Sequence, residues 1–309
     1  MTSNPKGAQI DYFTEAGSAE VVNARIDPAR AADRVPAIAA ALTRHLHAFV
    51  KEVEPTHEEW LAGIEFLTKT GHMCTDWRQE FILLSDVLGV SMLVDAINSR
   101  RPSGATENTI LGPFYVKNPP NRANGDTICL DDKGEPLVVR GRVVDGAGRP
   151  ISGAIVDVWQ TNDDGFYDVQ QRGAQPDMNM RGAFQTAADG GFSFRSVRPR
   201  HYQIPDDGTV GGLLQALGRN AMRAAHIHAI IVAEGYDPVI THIFEPNCPF
   251  IAEDAVFGVK QSLIGAFNKV HDRAQAEALG FGDAPFFWEV DVSFVLTPTT
   301  GKRAFIHQV

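Results

Sequence analysis

Cysteine is scarce in this chain: Cys74, Cys129 and Cys248 are the whole set, odd in number, far apart and without a CxxC pair. That excludes a disulfide framework and a thiolate zinc site, and it suits a reducing compartment. Positive charge is also short. The 28 Lys and Arg against 38 Asp and Glu leave a formal net charge of -10, which argues against general affinity for nucleic acid or anionic membrane. No run approaches about 18 apolar residues, and the stretch from Met1 to Gly17 mixes Pro, Gly, Asp and Glu with no apolar leader segment. A cytoplasmic protein without a membrane span is therefore expected. Internal repeats and low-complexity tracts are missing too. What remains, 44% hydrophobic and 21% charged residues over a length of 309, is the composition of a globular chain with core enough for one large domain or two modest ones.

From Asp27-Pro28 to about Asn98 the apolar residues follow helical spacing. Ile38, Leu42, Leu46, Phe49 and Val53 make one amphipathic stripe. Thr56-His-Glu-Glu59 reads as a capping box ahead of Trp60, Ile64 and Leu67, and Asp76-Trp-Arg-Gln79 starts a third helix through Phe81 and Leu84. Pro102 and Gly104 break the pattern. A helical domain over residues 1–106 is expected, its stripes covering either the rest of the chain or another subunit.

From about residue 127 the period changes to two. Leu137–Val144 alternates and ends at the turn Asp145-Gly-Ala-Gly-Arg-Pro150. Ala154–Trp159, Phe192–Phe194, a strand through His226, Val239–Phe244 and Trp288–Phe294 follow, with no helical repeat between them. Short strands separated by turn clusters predict an antiparallel β-sandwich over 107–309, with one short helix around Glu253 to Phe267 and no other before residue 250. Two long loops, 160 to 190 and 203 to 222, interrupt it, and loops of that length tend to carry function.

The stretch with most chemistry in it is Arg223-Ala-Ala-His226-Ile-His228-Ala-Ile-Ile-Val232. Alternation puts His226, His228, Ile230 and Val232 on one strand face, the two imidazoles roughly 7 Å apart at Cα. Two histidines on an apolar face need partners. Periodicity alone leaves open whether those are a shared metal ion or neighbouring chain. Arg223, three residues before His226, is of the wrong parity for that face unless a turn or bulge intervenes. Of only five tyrosines, at 12, 115, 167, 202 and 236, Tyr167 and Tyr202 each lie in a loop just after a strand and before the His226 strand.

Gly153-Ala-Ile-Val-Asp-Val-Trp159 followed by Tyr167, then Arg198-Pro-Arg-His-Tyr202, then Arg223-Ala-Ala-His226-Ile-His228, resembles the intradiol ring-cleavage dioxygenases. Leu111-Gly-Pro-Phe114 is similar to the start of that family's catalytic domain, and the match runs in order from about residue 80 to 260. Phe81–Gly89 and Phe244-Glu-Pro-Asn247 are most similar to the branch that cleaves hydroxyquinol, with cleavage of catechol or a chlorocatechol as the alternatives within the family. The resemblance implies one non-haem Fe(III) per subunit, held by Tyr167, Tyr202, His226 and His228 with a hydroxide. Hard, anionic phenolates favour the ferric ion, whereas two histidines with one carboxylate serve ferrous oxygenases. It also implies a catecholic substrate bound through both oxygens, displacing hydroxide and Tyr202. The departing ligands take its protons, and both atoms of O₂ end in a cis,cis-muconate.

By the same resemblance Arg223 lies beside the reacting ring, where a fixed cation stabilises developing negative charge. The pocket is expected from Leu83, Asp86, Ile110, Gly112, Pro113, Phe114, Ile204, Pro205 and Val256, a mostly apolar lining in which Asp86 is placed to accept a hydrogen bond from a third ring hydroxyl. His242 stands where catechol-cleaving members carry glutamine, leaving contact with a ligand or a plain strand histidine open. The helical block resembles the family's dimerisation region and implies a homodimer. A cupin is disfavoured because Glu234 follows His228 too distantly, Asn220 replaces the motif's glycine and no second half is present. A non-catalytic β-sandwich binding module is the alternative of another class; it has no need of two tyrosines and two histidines together.

Overall fold

The alternating segments form two sheets in the computed structural model, which describes residues 12–27, 33–76 and 78–299. The chain divides into two compact units, Met1–Thr68 and Lys69–Val309.

In the first unit α1 (Ser18–Asn23) packs on α2 (Val35–Val53) through Ser18 Oγ and His47 Nδ1, 3.0 Å apart, and the Asn23 side-chain amide, which donates to the Ala40 carbonyl at 3.2 Å. The predicted stripe is on α2, and all five of its residues are exposed. The predicted capping box precedes α3 (His57–His72): Thr56 N–H donates to Glu59 Oε2 at 2.8 Å and Glu59 N–H to Thr56 Oγ1 at 3.2 Å. Pro28 and Trp77, with which two of the helical expectations began, lie outside the described residues.

In the second unit α4 (Glu80–Val87) and α5 (Val90–Asn98) lead into the strands β1 (Pro136–Asp145), β2 (Ile155–Trp159), β3 (Arg181–Gln185), β4 (Gly191–Val197), β5 (Tyr202–Gln203), β6 (Met222–Arg223), β7 (His226–Val232), β8 (Val239–Phe244), β9 (Asn268–Val270) and β10 (Phe287–Leu296). One sheet has the order β4-β1-β10-β9 and the other β3-β2-β7-β8, while β5 and β6 pair as a short ribbon. Pairing is antiparallel as expected except between β1 and β10, which run parallel. Leu137, Val139 and Val143 of β1, Val156 and Val158 of β2, Ile227, Ala229 and Ile231 of β7 and Val290 and Phe294 of β10 fill the space between the sheets. Gly141 is required within β1, because a Cβ there would sit 2.4 Å from the Phe192 ring.

Two helix expectations are corrected. Residues 253–267 form no α-helix, only a 3₁₀ turn at Gln261–Leu263. Phe257 sits at φ +59° and the Asp254 carboxylate takes the Gly258 N–H, so the chain turns where a helix would continue. Conversely, the loop 203 to 222 holds α6 (Thr209–Ala216), whose Val210 and Leu214 are buried and whose Val210 N–H donates to the buried Glu80 carboxylate at 3.2 Å. The loop 160 to 190 likewise contains β3, which pairs with β2.

Candidate metal centre

Because the odd residues of β7 face the sandwich core, His226, His228 and Ile230 project from the outer face of their sheet. That face is covered rather than open to water. Trp159, Tyr167, Tyr202, Ile204, Val210, Leu214, Ile230, Ile240 and Val256 form a second apolar cluster over it, with Leu83, Ile110 and Phe114 packed against them. Five of the expected pocket residues therefore meet in one place, on α4, on the segment before β1, after β5 and after β8. Asp86 is part-buried on α4, and Gly112 adjoins the His228 ring, where a Cβ would lie 3.3 Å from Cε1. Pro113 and Pro205 are exposed, each beside a residue of the cluster in sequence.

Four nitrogen and oxygen donors converge beneath this cover. His226 Nε2 lies 3.0 Å from His228 Nε2, and the Tyr167 hydroxyl lies 2.9 Å from that same His228 nitrogen. The Tyr202 ring stands edge-on to Tyr167, centroids 5.3 Å apart, and 5.8 Å from the His226 ring. His226 Nδ1 is 2.6 Å from the Ala224 carbonyl, to which it donates, so Nε2 is the bare nitrogen. His228 is held from behind: its Nδ1 is 2.7 Å from His242 Nε2, and Trp159, its register partner on β2, stacks on it at 4.4 Å and 7°.

His226, His228 and His242 are close enough to one another to make a three-histidine set. The direction of the rings decides against it. His242 faces Nδ1 of His228, the nitrogen opposite the one that meets His226 and Tyr167, so a single ion cannot draw on both sides of that ring. His242 is a partner of His228, one of the two roles left open by the sequence.

Burial sets the protonation states. It pulls His226 down to about 3, with Arg223 adding to the effect, and it lowers His228 and His242 as well, so all three imidazoles are neutral as metal ligands must be. Burial also raises Tyr167, followed by the neighbouring Tyr202. Two neutral imidazoles with nitrogens 3.0 Å apart, beside the Tyr167 phenol that burial holds protonated and the Tyr202 hydroxyl, form a donor set that a hard cation would complete: it would relieve the opposed lone pairs and make phenolate the favoured form. The residues present fit ferric iron.

Arg223 reaches the site despite its parity because β6 and β7 are not one strand. It is 2% exposed, pairs in register with Tyr202, and its Nη1 donates to the Tyr202 hydroxyl at 3.3 Å. Its Nη2 has no partner among the described residues. Burial alone would lower its pKa, but Asp254 and Tyr202 outweigh that and the net is upward, so the cation is permanent. Asp86, raised by burial against a hydrogen bond from Ser91, feels the Arg223 charge as well. Residues absent from the sequence reading are Trp159 as a ring support, Asp254, and the buried pair of Asp168 with Arg181 next to Tyr167. Only Trp159 had a signal, its place opposite His228 once β2 and β7 are paired.

Two family models match the chain, one described as dioxygenase over residues 110–298 and one described as catechol dioxygenase N terminus over residues 32–106. The chain is 55% identical over 289 residues to a hydroxyquinol 1,2-dioxygenase of Rhizobium sp. (strain MTP-10005), covering 92% of this chain and 96% of that protein. It is 46% identical to a 6-chlorohydroxyquinol 1,2-dioxygenase of Cupriavidus pinatubonensis, covering 86% and 91%. The solved structure of a hydroxyquinol 1,2-dioxygenase from Pseudomonas putida DLL-E4 superposes with a TM-score of 0.85 at 43% identity, covering 92% of this chain and 99% of that one.

Proposed function

We propose, from the premise that the chain belongs to the intradiol ring-cleavage dioxygenase family, that it opens hydroxyquinol (benzene-1,2,4-triol) with O₂ to 3-hydroxy-cis,cis-muconate, the enol form of maleylacetate. The observation that carries the reading is the convergence on His228 Nε2 of the Tyr167 hydroxyl, at 2.9 Å, and His226 Nε2, at 3.0 Å, under an apolar cover, with Tyr202 and the Arg223 cation alongside.

Tyr167, Tyr202, His226 and His228 would hold one Fe(III) per subunit. When bound, ferric iron supplies a Lewis acid that takes both oxygens of the diol and readies the ring for O₂. The chain's own residues do the rest. The Tyr202 oxygen receives a proton from a substrate hydroxyl, and Arg223 Nη1 at 3.3 Å steadies that oxygen before and after the transfer. Nη2 of Arg223, buried and without a partner among the described residues, is the donor available to a substrate oxygen as negative charge develops. Phe114, stacked on Tyr167 at 4.6 Å, walls the ring side and keeps water from the reacting atoms. His242 accepts from His228 Nδ1 and so keeps Nε2 of that ring bare.

Asp86 supports hydroxyquinol over catechol, because the third hydroxyl would add a partner, beside Ser91, to a part-buried carboxyl on the pocket wall, and catechol has no group to do so. Steady-state rates on hydroxyquinol and catechol, with the ultraviolet spectrum of each product and the visible tyrosinate band of the purified enzyme, test the reading. Hydroxyquinol is expected to lead in kcat/KM; a lead of about tenfold for catechol would remove the hydroxyquinol assignment, and a colourless, iron-free protein would remove the metal centre. In Asp86→Leu, kcat/KM for hydroxyquinol should fall by about tenfold to a hundredfold while catechol changes less than about threefold. Equal losses on both would deny Asp86 the recognition of the third hydroxyl.

The exposed Ile38, Leu42, Leu46, Phe49 and Val53 stripe on α2 supports a homodimer joined through the N-terminal helices, and a monomer mass by light scattering at micromolar concentration would contradict it. We take the helical domain to end near residue 106, where the two family matches meet. Cys74, Cys129 and Cys248 are free thiols and no helix of the described residues is long and apolar enough to cross a membrane; the thiols support a cytoplasmic setting.

A further inference from the structure

Arg223 should not be where it is. On a continuous strand ending in His226-Ile-His228 it would share a face with Ala225 and Ile227 and enter the apolar core, where a bare guanidinium is untenable. The break that turns it outward is two residues long, Ala224-Ala225, and both residues are buried. Their N–H groups need acceptors that no neighbouring strand provides. Ala225 N–H donates to Cys248 Sγ at 3.2 Å, and Ala224 N–H donates to Asp254 Oδ1 at 3.1 Å.

That same Asp254 oxygen accepts Arg223 Nε at 2.8 Å, and the other oxygen accepts the Gly258 N–H at 2.7 Å. One buried carboxylate thus closes the break in the backbone and grips the side chain that the break redirects. Holding Arg223 at Nε leaves the other two nitrogens of the fork pointing on: Nη1 to the Tyr202 hydroxyl, Nη2 to no residue described. Gly258 belongs to the same arrangement, since a Cβ there would stand 3.1 Å from both Arg223 Nη2 and Asp254 Oδ2.

We propose that Asp254 is a positioning residue for ring cleavage: it holds the β6–β7 break and the Arg223 fork together, so that one guanidinium nitrogen is free toward the substrate. The inference rests on the intradiol reading of the site. Among the described residues Asp254 is hydrogen-bonded to Arg223, Ala224 and Gly258 and to none of the four residues assigned to the metal, so its main effect is exerted through Arg223 and on the substrate complex.

The test is a double-mutant cycle in the iron-loaded enzyme, comparing Asp254→Asn, Arg223→Gln and the two together. In Asp254→Asn the amide nitrogen meets the Gly258 N–H donor to donor, loosening the grip with little change of volume. Iron content and the resting visible band should stay within about twofold of the parent, while kcat/KM falls about a hundredfold, the cost of a misplacement near 1 Å. The visible shift on anaerobic addition of hydroxyquinol should weaken in parallel. The decisive expectation is that the double variant loses no more than Arg223→Gln alone. Additive losses, or an Asp254→Asn enzyme with parental kcat/KM, would overturn the proposal. If Asp254→Asn does not fold, Asp254→Glu, which keeps the charge and moves the carboxylate by one methylene, reads the same coupling: a loss of at least about tenfold that vanishes in the Arg223→Gln background. A parent enzyme that cleaves neither hydroxyquinol nor catechol would instead remove the intradiol reading itself.

Discussion

Tyr202→Phe is expected to leave a folded protein whose turnover of hydroxyquinol is down by about 10² to 10⁴, the range spanned by loss of a positioned proton acceptor. Tyr202 is 6% exposed and packs edge-on to Tyr167, so phenylalanine keeps its volume and ring contacts. What is removed is one oxygen with two duties. As a phenolate on the proposed iron it would contribute half of the tyrosinate character of the centre, so the visible band should weaken and move, while Tyr167 keeps it from vanishing. As the proposed proton acceptor it would take a proton from the substrate, so anaerobic mixing in a stopped-flow spectrometer should show slower formation of the substrate complex. The substitution also strips Arg223 Nη1 of its partner at 3.3 Å, leaving a second nitrogen of a buried cation unsatisfied. Binding should then suffer along with the rate. Unchanged colour and unchanged rate together would take Tyr202 out of the ligand set and return the site to an arrangement built on His226, His228 and Tyr167.

How much of this was visible in the bare sequence depends on the range of the interaction concerned. The shared face of His226 and His228 was legible because strand periodicity is local, and the capping box at Thr56 and Glu59 was legible for the same reason. The placement of that histidine face on the outside of the sandwich was not, since both faces of β7 carry apolar residues and only the covering cluster shows which one meets the other sheet. The aim of Arg223 was illegible because its cause, Asp254, lies 31 positions away inside a segment with helical spacing. The α6 helix was hidden by Gly211-Gly212, which lowers helix propensity. Yet Gly211 is required there, for a Cβ would run into the Asp206 backbone at 1.9 Å, and the helix start is satisfied by Glu80, 130 positions earlier. The parallel pairing of β1 with β10 had no signal either, because strand spacing does not name the neighbour. The ligand types came through the resemblance of spaced motifs; their supports, reached across the fold, did not.

Those supports yield the largest expected loss of stability. Asp168 follows Tyr167 directly and begins the 3₁₀ turn Asp168–Gln170, whose Gln170 side chain takes the Tyr167 N–H at 2.9 Å. Its Oδ1 accepts both Nε and Nη2 of Arg181, at 2.8 and 2.5 Å, and its Oδ2 accepts the Met178 N–H at 3.1 Å. Side-chain exposure is 8% for Asp168 and 2% for Arg181, so the pair is desolvated and water cannot replace either partner. Asp168→Ala therefore strands a buried guanidinium on β3 and frees the turn that presents Tyr167, and a loss of about 3–5 kcal/mol is expected. Breaking the surface pair of Arg140 with Glu289, whose side chains are 37% and 27% exposed, should cost under about 1 kcal/mol by the Arg140→Ala change. Urea unfolding of the two variants beside the parent measures the contrast. The Asp168 variant should also lose iron and the visible band at urea concentrations below its unfolding midpoint, because the Tyr167 turn loosens before the sandwich opens. Equal midpoints for the two variants would mean that the Asp168–Arg181 pair carries no more than a surface bridge, and that Tyr167 is held by the packing of Phe114 and His228 instead.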